Sequence, residues 1–257
     1  MIKEIYKKIV PERLRYNIKL LKRELSYPFY IGNNFYCNCC NKSFRKFLKK
    51  GYIVRHNAEC PYCGSLERNR LLLLYFTNTK ILESKQISLL HFAPENCLKS
   101  ILTAKSNIHY VDVDINPIHA SMQADITNLP FKNNTFDYII CSHVLGHVPD
   151  QQKALEELYR VLKPKGVAFI MTLIDKNLKI TFEDKSIQDV PTRILKYGEH
   201  DLVRRHGRDF IDNIKSVGFY VKELNYAETL DPAIRKRYSL GNGERELIFY
   251  GAKSENI

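Results

Sequence analysis

Cysteines are the first residues in this 257-residue chain whose type and spacing imply chemistry. Four of the seven form two C-x-x-C pairs, Cys37/Cys40 and Cys60/Cys63, with 19 residues between them. Two such pairs suit a four-cysteine zinc ribbon, in which each tight turn aims two thiolates at one ion. Soft sulfur in a tetrahedron suits Zn2+, and four cysteines leave no open position, so the expected metal is structural. Cys39 is a spare thiol that can replace Cys37 or Cys40 in another register; His56 reads as a surface residue. Chance cysteines or a redox pair are the competing reading. The odd total argues against a disulfide framework. A second set of residues lies just past short apolar runs: Glu95, Asp112 and Asp114, Asp125, Ser142 and His143. An open parallel sheet binds its ligand at the carboxyl ends of its strands. Residues 89–164 therefore read as a cofactor-binding α/β domain.

The elements that must position these groups follow from periodicity and punctuation. Residues 3–25 are expected to be helical, interrupted at Pro11, with a ragged apolar face among Lys and Arg. This arm suits a membrane surface, an anionic polymer, or packing against the main domain, and the last is preferred. Ser65 is the expected N-cap of a helix over 66–77 that bridges the cysteine module to the sheet. Strands are expected at 87–92, 110–114, 122–125, 136–141 and 166–173. A helix over 151–162 stops at Lys163-Pro164-Lys165-Gly166. Residues 175–206 lack a regular pattern and read as a substrate lid. Helix 208–217 and strands 219–224 and 245–251 close the chain, with an antiparallel last strand allowed. The division is a basic arm (1–34), a cysteine module (35–64) and an α/β domain (65–257).

Charge is uneven. Of the formal +12, residues 1–50 carry 13 basic against 3 acidic side chains, a net +10, whereas the remaining 207 carry 27 against 25. An anionic partner would meet the arm, not the cofactor domain. The sequence has neither a transmembrane-length apolar run nor a leader pattern at Met1, so a cytoplasmic location is expected.

The run ADITNLPFKNNTFDYIICSHVLGHVPD, followed by ALEELYRVLKPKGVAFI, resembles the core of class I S-adenosylmethionine-dependent methyltransferases of the type 11 group. The resemblance covers about residues 87–174 and weakens towards 251. CPYCGSLERNR and HFAPE resemble a bacterial subgroup with an N-terminal Cys-rich element. The resemblance implies a Rossmann-like seven-stranded sheet with helices on both faces and a small zinc-ribbon-like module. It also implies that Asp114 holds the cofactor ribose and that Asp125 and Ile126 meet the adenine. Phe92, Ala93, Pro94 and Glu95 would form the loop at the methionine end, beside Ser142 and His143. Two positions depart from the family: HFAPE replaces a glycine-rich loop, and Gly146 stands where Glu is usual. His147, or His200 with Asp201, is the expected base, and Arg204 the expected anchor for an anionic acceptor. The leading function is methyl transfer to an O or N atom of a small-molecule or saccharide acceptor, with S-adenosylmethionine as cofactor and zinc as structural ion. An RNA methyltransferase using the zinc module and basic arm, and a non-catalytic S-adenosylmethionine-binding module, are the alternatives. Peripheral membrane contact through the arm is a further expectation.

Overall fold

The computed structural model describes residues 9–84, 86–241 and 245–254. Helix α1 (Glu12–Ser26) follows Pro11 directly, so the proline marks a start and not an interior break; the part of the expected arm before residue 9 lies outside the described residues. The cysteine module is two antiparallel pairs, β1 (Ile31–Cys37) with β2 (Lys42–Phe44), and β3 (Leu48–Lys50) with β4 (Arg55–Glu59). Its own core is small: Cys37, Phe44, Phe47 and Cys60, with tyrosines packed around them. A core of this size needs a staple or a neighbour to stay folded.

Helix α2 (Glu67–Thr79) leads into the sheet. Its first free N–H is capped by Asn69, whose Oδ1 accepts from Leu66 N at 2.8 Å. Ser65, the expected cap, is buried and turned towards the thiols instead. The main sheet comprises β5 (Ile87–Phe92), β6 (Ile108–Asp114), β7 (Met122–Gln123), β8 (Phe136–Ser142), β9 (Leu162–Met171), β12 (Tyr220–Leu224) and β13 (Ile248–Ala252). Their spatial order is β12-β13-β9-β8-β5-β6-β7. All neighbours are parallel except β13, which runs antiparallel to both β9 and β12. This is the seven-stranded Rossmann-like architecture expected from the sequence. The central strands are continuous apolar runs because both faces are covered. Helices α2 and α3 (Asn96–Thr103) pack on one face, with Leu72, Phe76, Leu98 and Leu102. Helices α4 (Gln151–Val161) and α6 (Phe210–Ser216) cover the other with Leu155, Leu158, Phe210 and Ile214.

Two segments differ from the pattern read in the sequence. The helix stops at Val161, as the Lys163–Gly166 signal implies, but these four residues lie inside the following strand and not in a turn before it. Strand β9 begins at Leu162, paired with Phe136, and resumes pairing only at Val167, opposite Tyr138. Lys163–Gly166 is an irregularity inside the strand, where a proline lacking an N–H costs no ladder bond. A Cβ on Gly166 would sit 2.9 Å from Asp137 O, so only glycine fits this crossing. The 175–206 segment is not irregular either. It holds β10 (Phe182–Glu183) paired with β11 (Arg204–Arg205), and between them α5 (Val190–Tyr197), N-capped by Asp189. Helix α7 (Pro232–Tyr238) also went unread.

The cysteine module is locked to this sheet domain by Arg70, which is fully buried. Its guanidinium donates to Ser65 O (2.7 Å), Ser65 Oγ (3.4 Å) and Ala58 O (3.0 Å) on the module side. On the other side it donates to Tyr238 O (2.7 Å) and Ser239 O (2.8 Å) just after α7. The cation also lies 4.7 Å from the centre of the Phe47 ring. Arg70→Met would leave these buried carbonyls unpaired, each costing about 1–3 kcal/mol. Chemical denaturation of Arg70→Met is expected to show a loss of about 3 kcal/mol or more, against less than about 0.5 kcal/mol for the exposed Lys22→Met.

Candidate active site

The four cysteines converge as their spacing implies. Cys37 closes β1, and Cys60–Gly64 form a turn in which Gly64 N donates to Cys60 O at 3.0 Å. Gly64 has φ +76°, and a Cβ there would strike the Arg23 guanidinium. The Cys37–Cys63 Sγ separation is 3.6 Å, Cys40–Cys60 is 3.8 Å, and all four sulfurs lie within 4.8 Å of one another. Sulfurs about 2.3 Å from a tetrahedral zinc stand about 3.8 Å apart, so the set fits that ion. Ser65 Oγ lies 3.1 Å from Cys37 Sγ and 3.3 Å from Cys63 Sγ, where a hydroxyl donor can stabilise thiolate charge. Cys39 stays out of the cluster and packs against the core group that holds Cys97. His56 is exposed.

The sheet reverses its order between β5 and β8, and ligands of open α/β sheets bind outside the carboxyl ends at such a point. The loop after β5 begins with Ala93 at φ 47°, a left-handed conformation that costs a residue with a Cβ about 1 kcal/mol or more. Here the backbone keeps the shape of a glycine loop without the glycine, and Ala93 N is tied to Val113 O at 2.9 Å. Asn96 then opens α3. A cavity of about 430 Å³ adjoins this loop. Of the residues expected at the cofactor, Ala93, Pro94, Glu95 and Asp114 line it. Asp114 Oδ1 accepts from Asn116 N at 2.7 Å, and among the described residues no donor reaches its other oxygen. Asp112 is buried and occupied by Lys99 Nζ (2.5 Å) and Ser121 N (3.2 Å). Phe92 points into the core. Asp125 and Ile126 stand beyond the cavity lining; Asp125 Oδ1 accepts from Thr127 N and Oγ1, both 2.8 Å, and Ile126 is buried.

Glu95 receives Arg68 Nε at 3.2 Å and lies 3.4 Å from the buried ring of His91. Burial pushes its carboxyl up, but His91 and the Arg68 charge outweigh this and hold it at about 2. Its Oε2 is the oxygen that faces His91 Nε2, and among the described residues the Ser142 hydroxyl at the end of β8 has no hydrogen-bond partner. Ser142 and His143 lie outside the cavity lining, whereas the Glu95 carboxylate is in it, where it fits the ammonium of an amino-acid-bearing nucleoside. His143, also at positive φ (55°), sets its Nε2 3.1 Å from Glu246 Oε2. Burial and the nearby Arg68 charge lower its pKa, against the opposing pull of Glu246.

Beyond β8, His147 Nδ1 lies 3.5 Å from Asp201 Oδ1, and His200 Nδ1 lies 3.3 Å from the same oxygen. Glu199 joins this group. Gly146 makes the approach feasible: Val203 N donates to its carbonyl at 3.0 Å, and a Cβ there would meet Leu202 at 2.7 Å. His200 is well exposed, whereas His147 is half-buried. Arg204 does not serve as an anchor for an anion. Its side chain is 2% exposed and donates to Glu183 and to the carbonyls of Leu145, Val148 and Pro149. It ties the 204–205 strand to the loop after β8.

The sequence reading missed part of the cavity wall. Tyr16, Lys19 and Arg23 from α1, with Cys63 and Gly64, line it opposite the Ala93 loop. The heptad-like spacing of Tyr16 and Arg23 placed them on one helix face, but nothing local said what that face would meet.

Residues 90–170 match the family model described as a methyltransferase domain. The matched stretch lies within the Rossmann-like sheet. The chain is 39% identical over 88 residues to an uncharacterized protein of Methanocaldococcus jannaschii, covering 32% of this chain and 38% of that one. It is 26% identical over 129 residues to a ubiquinone/menaquinone biosynthesis C-methyltransferase of Pasteurella multocida, covering 50% and 44%. The chain thus spans less than half the length of these curated relatives. The crystal structure of the CurJ carbon methyltransferase superposes with a TM-score of 0.52 at 17% identity, over 74% of this chain and 56% of that one, which speaks for the fold.

Two outcomes follow. Purified protein is expected to hold about one zinc per chain, and Cys60→Ser to lose it together with thermal stability; retained zinc in that variant, measured by elemental analysis, would remove the four-cysteine site. Glu95, at about 2 when folded and near its ordinary 4.5 when unfolded, stabilises the fold above pH 4.5, and this is lost as the pH falls towards 2. Denaturation at a series of pH values is expected to show a shallower acid limb for Glu95→Gln, by on the order of 2–3 kcal/mol.

Proposed function

We propose that the protein is an S-adenosylmethionine-dependent methyltransferase acting on an O or N atom of a small-molecule or saccharide acceptor. The observation that carries this is the cavity at the sheet's switch point, where the left-handed Ala93 loop faces Asp114. Asp114 would hold the ribose hydroxyls and Glu95 the ammonium, with Ser142 and His143 flanking the reacting end and Asp125 and Ile126 at the adenine. When bound, the cofactor supplies an electrophilic methyl group on a sulfonium. The chain's own work is then to orient, to exclude water and to move one proton. His147 is the proposed base, and Asp201 the carboxylate that orients its ring and stabilises the charge it acquires. His200 shares that carboxylate from the solvent side.

The likeness to the ubiquinone/menaquinone biosynthesis C-methyltransferase of Pasteurella multocida favours a second reading, methylation of an activated carbon, for which the same base would serve. The RNA reading is weaker, since Tyr16, Lys19 and Arg23 of the basic arm are turned to the cavity. Calorimetry with S-adenosylhomocysteine tests the cofactor reading, and absence of heat or of a thermal shift would overturn it. Tritiated methyl transfer into fractionated cell extract identifies the acceptor class, and NMR of the product assigns the methylated atom. A protein that binds S-adenosylhomocysteine and transfers nothing to any fraction would be the non-catalytic binding module. His147→Asn is expected to slow turnover about 100-fold or more with cofactor affinity unchanged, and Asp201→Asn to lower the rate less steeply.

A further inference from the structure

Helix α1 lies across the cavity. Glu12 at one end contacts His119 Nε2 at 3.3 Å, beyond the Asp114 strand, and Arg23 at the other end is paired with Glu59 in the cysteine module. Tyr16 and Lys19 lie between these anchors and line the cavity with Glu95, Cys97 and Asp114. The arm that the charge distribution offered to an external anion is therefore a roof.

The charges around the cavity can be sorted by partner. Arg23 is held by Glu59 and lies close to the Cys60 and Cys63 sulfurs, so its charge offsets the thiolate cluster. Lys99 is spent on Asp112 at 2.5 Å. Glu95 is compensated by Arg68. Among the described residues, Lys19 has no ion-pair or hydrogen-bond partner. It is exposed overall, and on the side turned to the cavity partial desolvation and the neighbouring Arg23 disfavour its charge, a penalty that an incoming anion would relieve. The uncommitted charges facing the cavity are thus the cation of Lys19 and the carboxylate of Asp114. A ligand that offers hydroxyls to one and a carboxylate to the other satisfies both.

We infer that Lys19, carried on the N-terminal helix, binds the carboxylate of the cofactor's amino-acid end, so that α1 and the cysteine module complete the donor site from outside the sheet domain. This rests on reading the cavity as the donor site. A charge-assisted contact of this kind is worth about ten- to a hundredfold in affinity. The probes are S-adenosylhomocysteine, which has the carboxylate, and 5′-methylthioadenosine, which lacks it. Calorimetry on the full zinc-loaded chain should show Lys19→Ala weakening S-adenosylhomocysteine at least tenfold and leaving 5′-methylthioadenosine unchanged. Lys22→Ala, a residue of the same helix outside the cavity lining, should change neither. Equal weakening of both ligands would overturn the inference in favour of mere roof packing. Unchanged binding of both, or a loss of zinc in Lys19→Ala with binding of the probes kept, would overturn it too. A wild-type protein that binds neither ligand would instead overturn the donor-site reading, and this inference with it.

Discussion

Arg70 places a fully charged, fully buried group at the one point where strands of the cysteine module, the start of α2 and the end of α7 meet. Burying a guanidinium among carbonyls is stabilising only when every donor is satisfied at once, which fixes the relative position of all three segments. The rest of the site depends on that fixity. The Cys63–Gly64 turn borders the cavity because the module cannot tilt, and α1 crosses the cavity because Arg23 is anchored to the module through Glu59.

The sheet and the cysteine site were legible because their signals are local. Continuous apolar runs, acids at strand ends and paired C-x-x-C turns each lie within a few residues, and backbone geometry leaves them few alternatives. Ser65 shows how a local rule is overruled: a good N-cap residue was drawn to the thiols, and Asn69 took over the cap. Arg204 fails as an anion anchor for a similar reason, since buried carbonyls after β8 needed its donors more. What was not legible joins distant parts of the chain. Lys19 and Asp114, Arg68 and Glu95, His143 and Glu246 come together only through the order of strands. Charge counting pointed outward for the same reason: it registers how many lysines and arginines the arm has, not which way they turn.

The departures from the family pattern share a physical logic. Ala93 keeps the left-handed shape of a glycine loop and bears strain for it. Gly146 gives up a side chain and lets the 199–206 segment close on the loop after β8, bringing two carboxylates to His147. One substitution adds a Cβ where backbone normally approaches the ligand, and the other removes a side chain where one normally faces it.

The order of the elements along the chain has a consequence for how the cavity comes into being. During synthesis the arm and cysteine module emerge before the sheet domain against which they pack. A bound metal would let so small a core persist alone. The sheet forms next, but the contacts from Arg70 to Tyr238 and Ser239 span 168 and 169 residues. Closing so long a loop is entropically slow and comes late. The cavity therefore takes its final shape only when α7 docks and fixes the module that borders it.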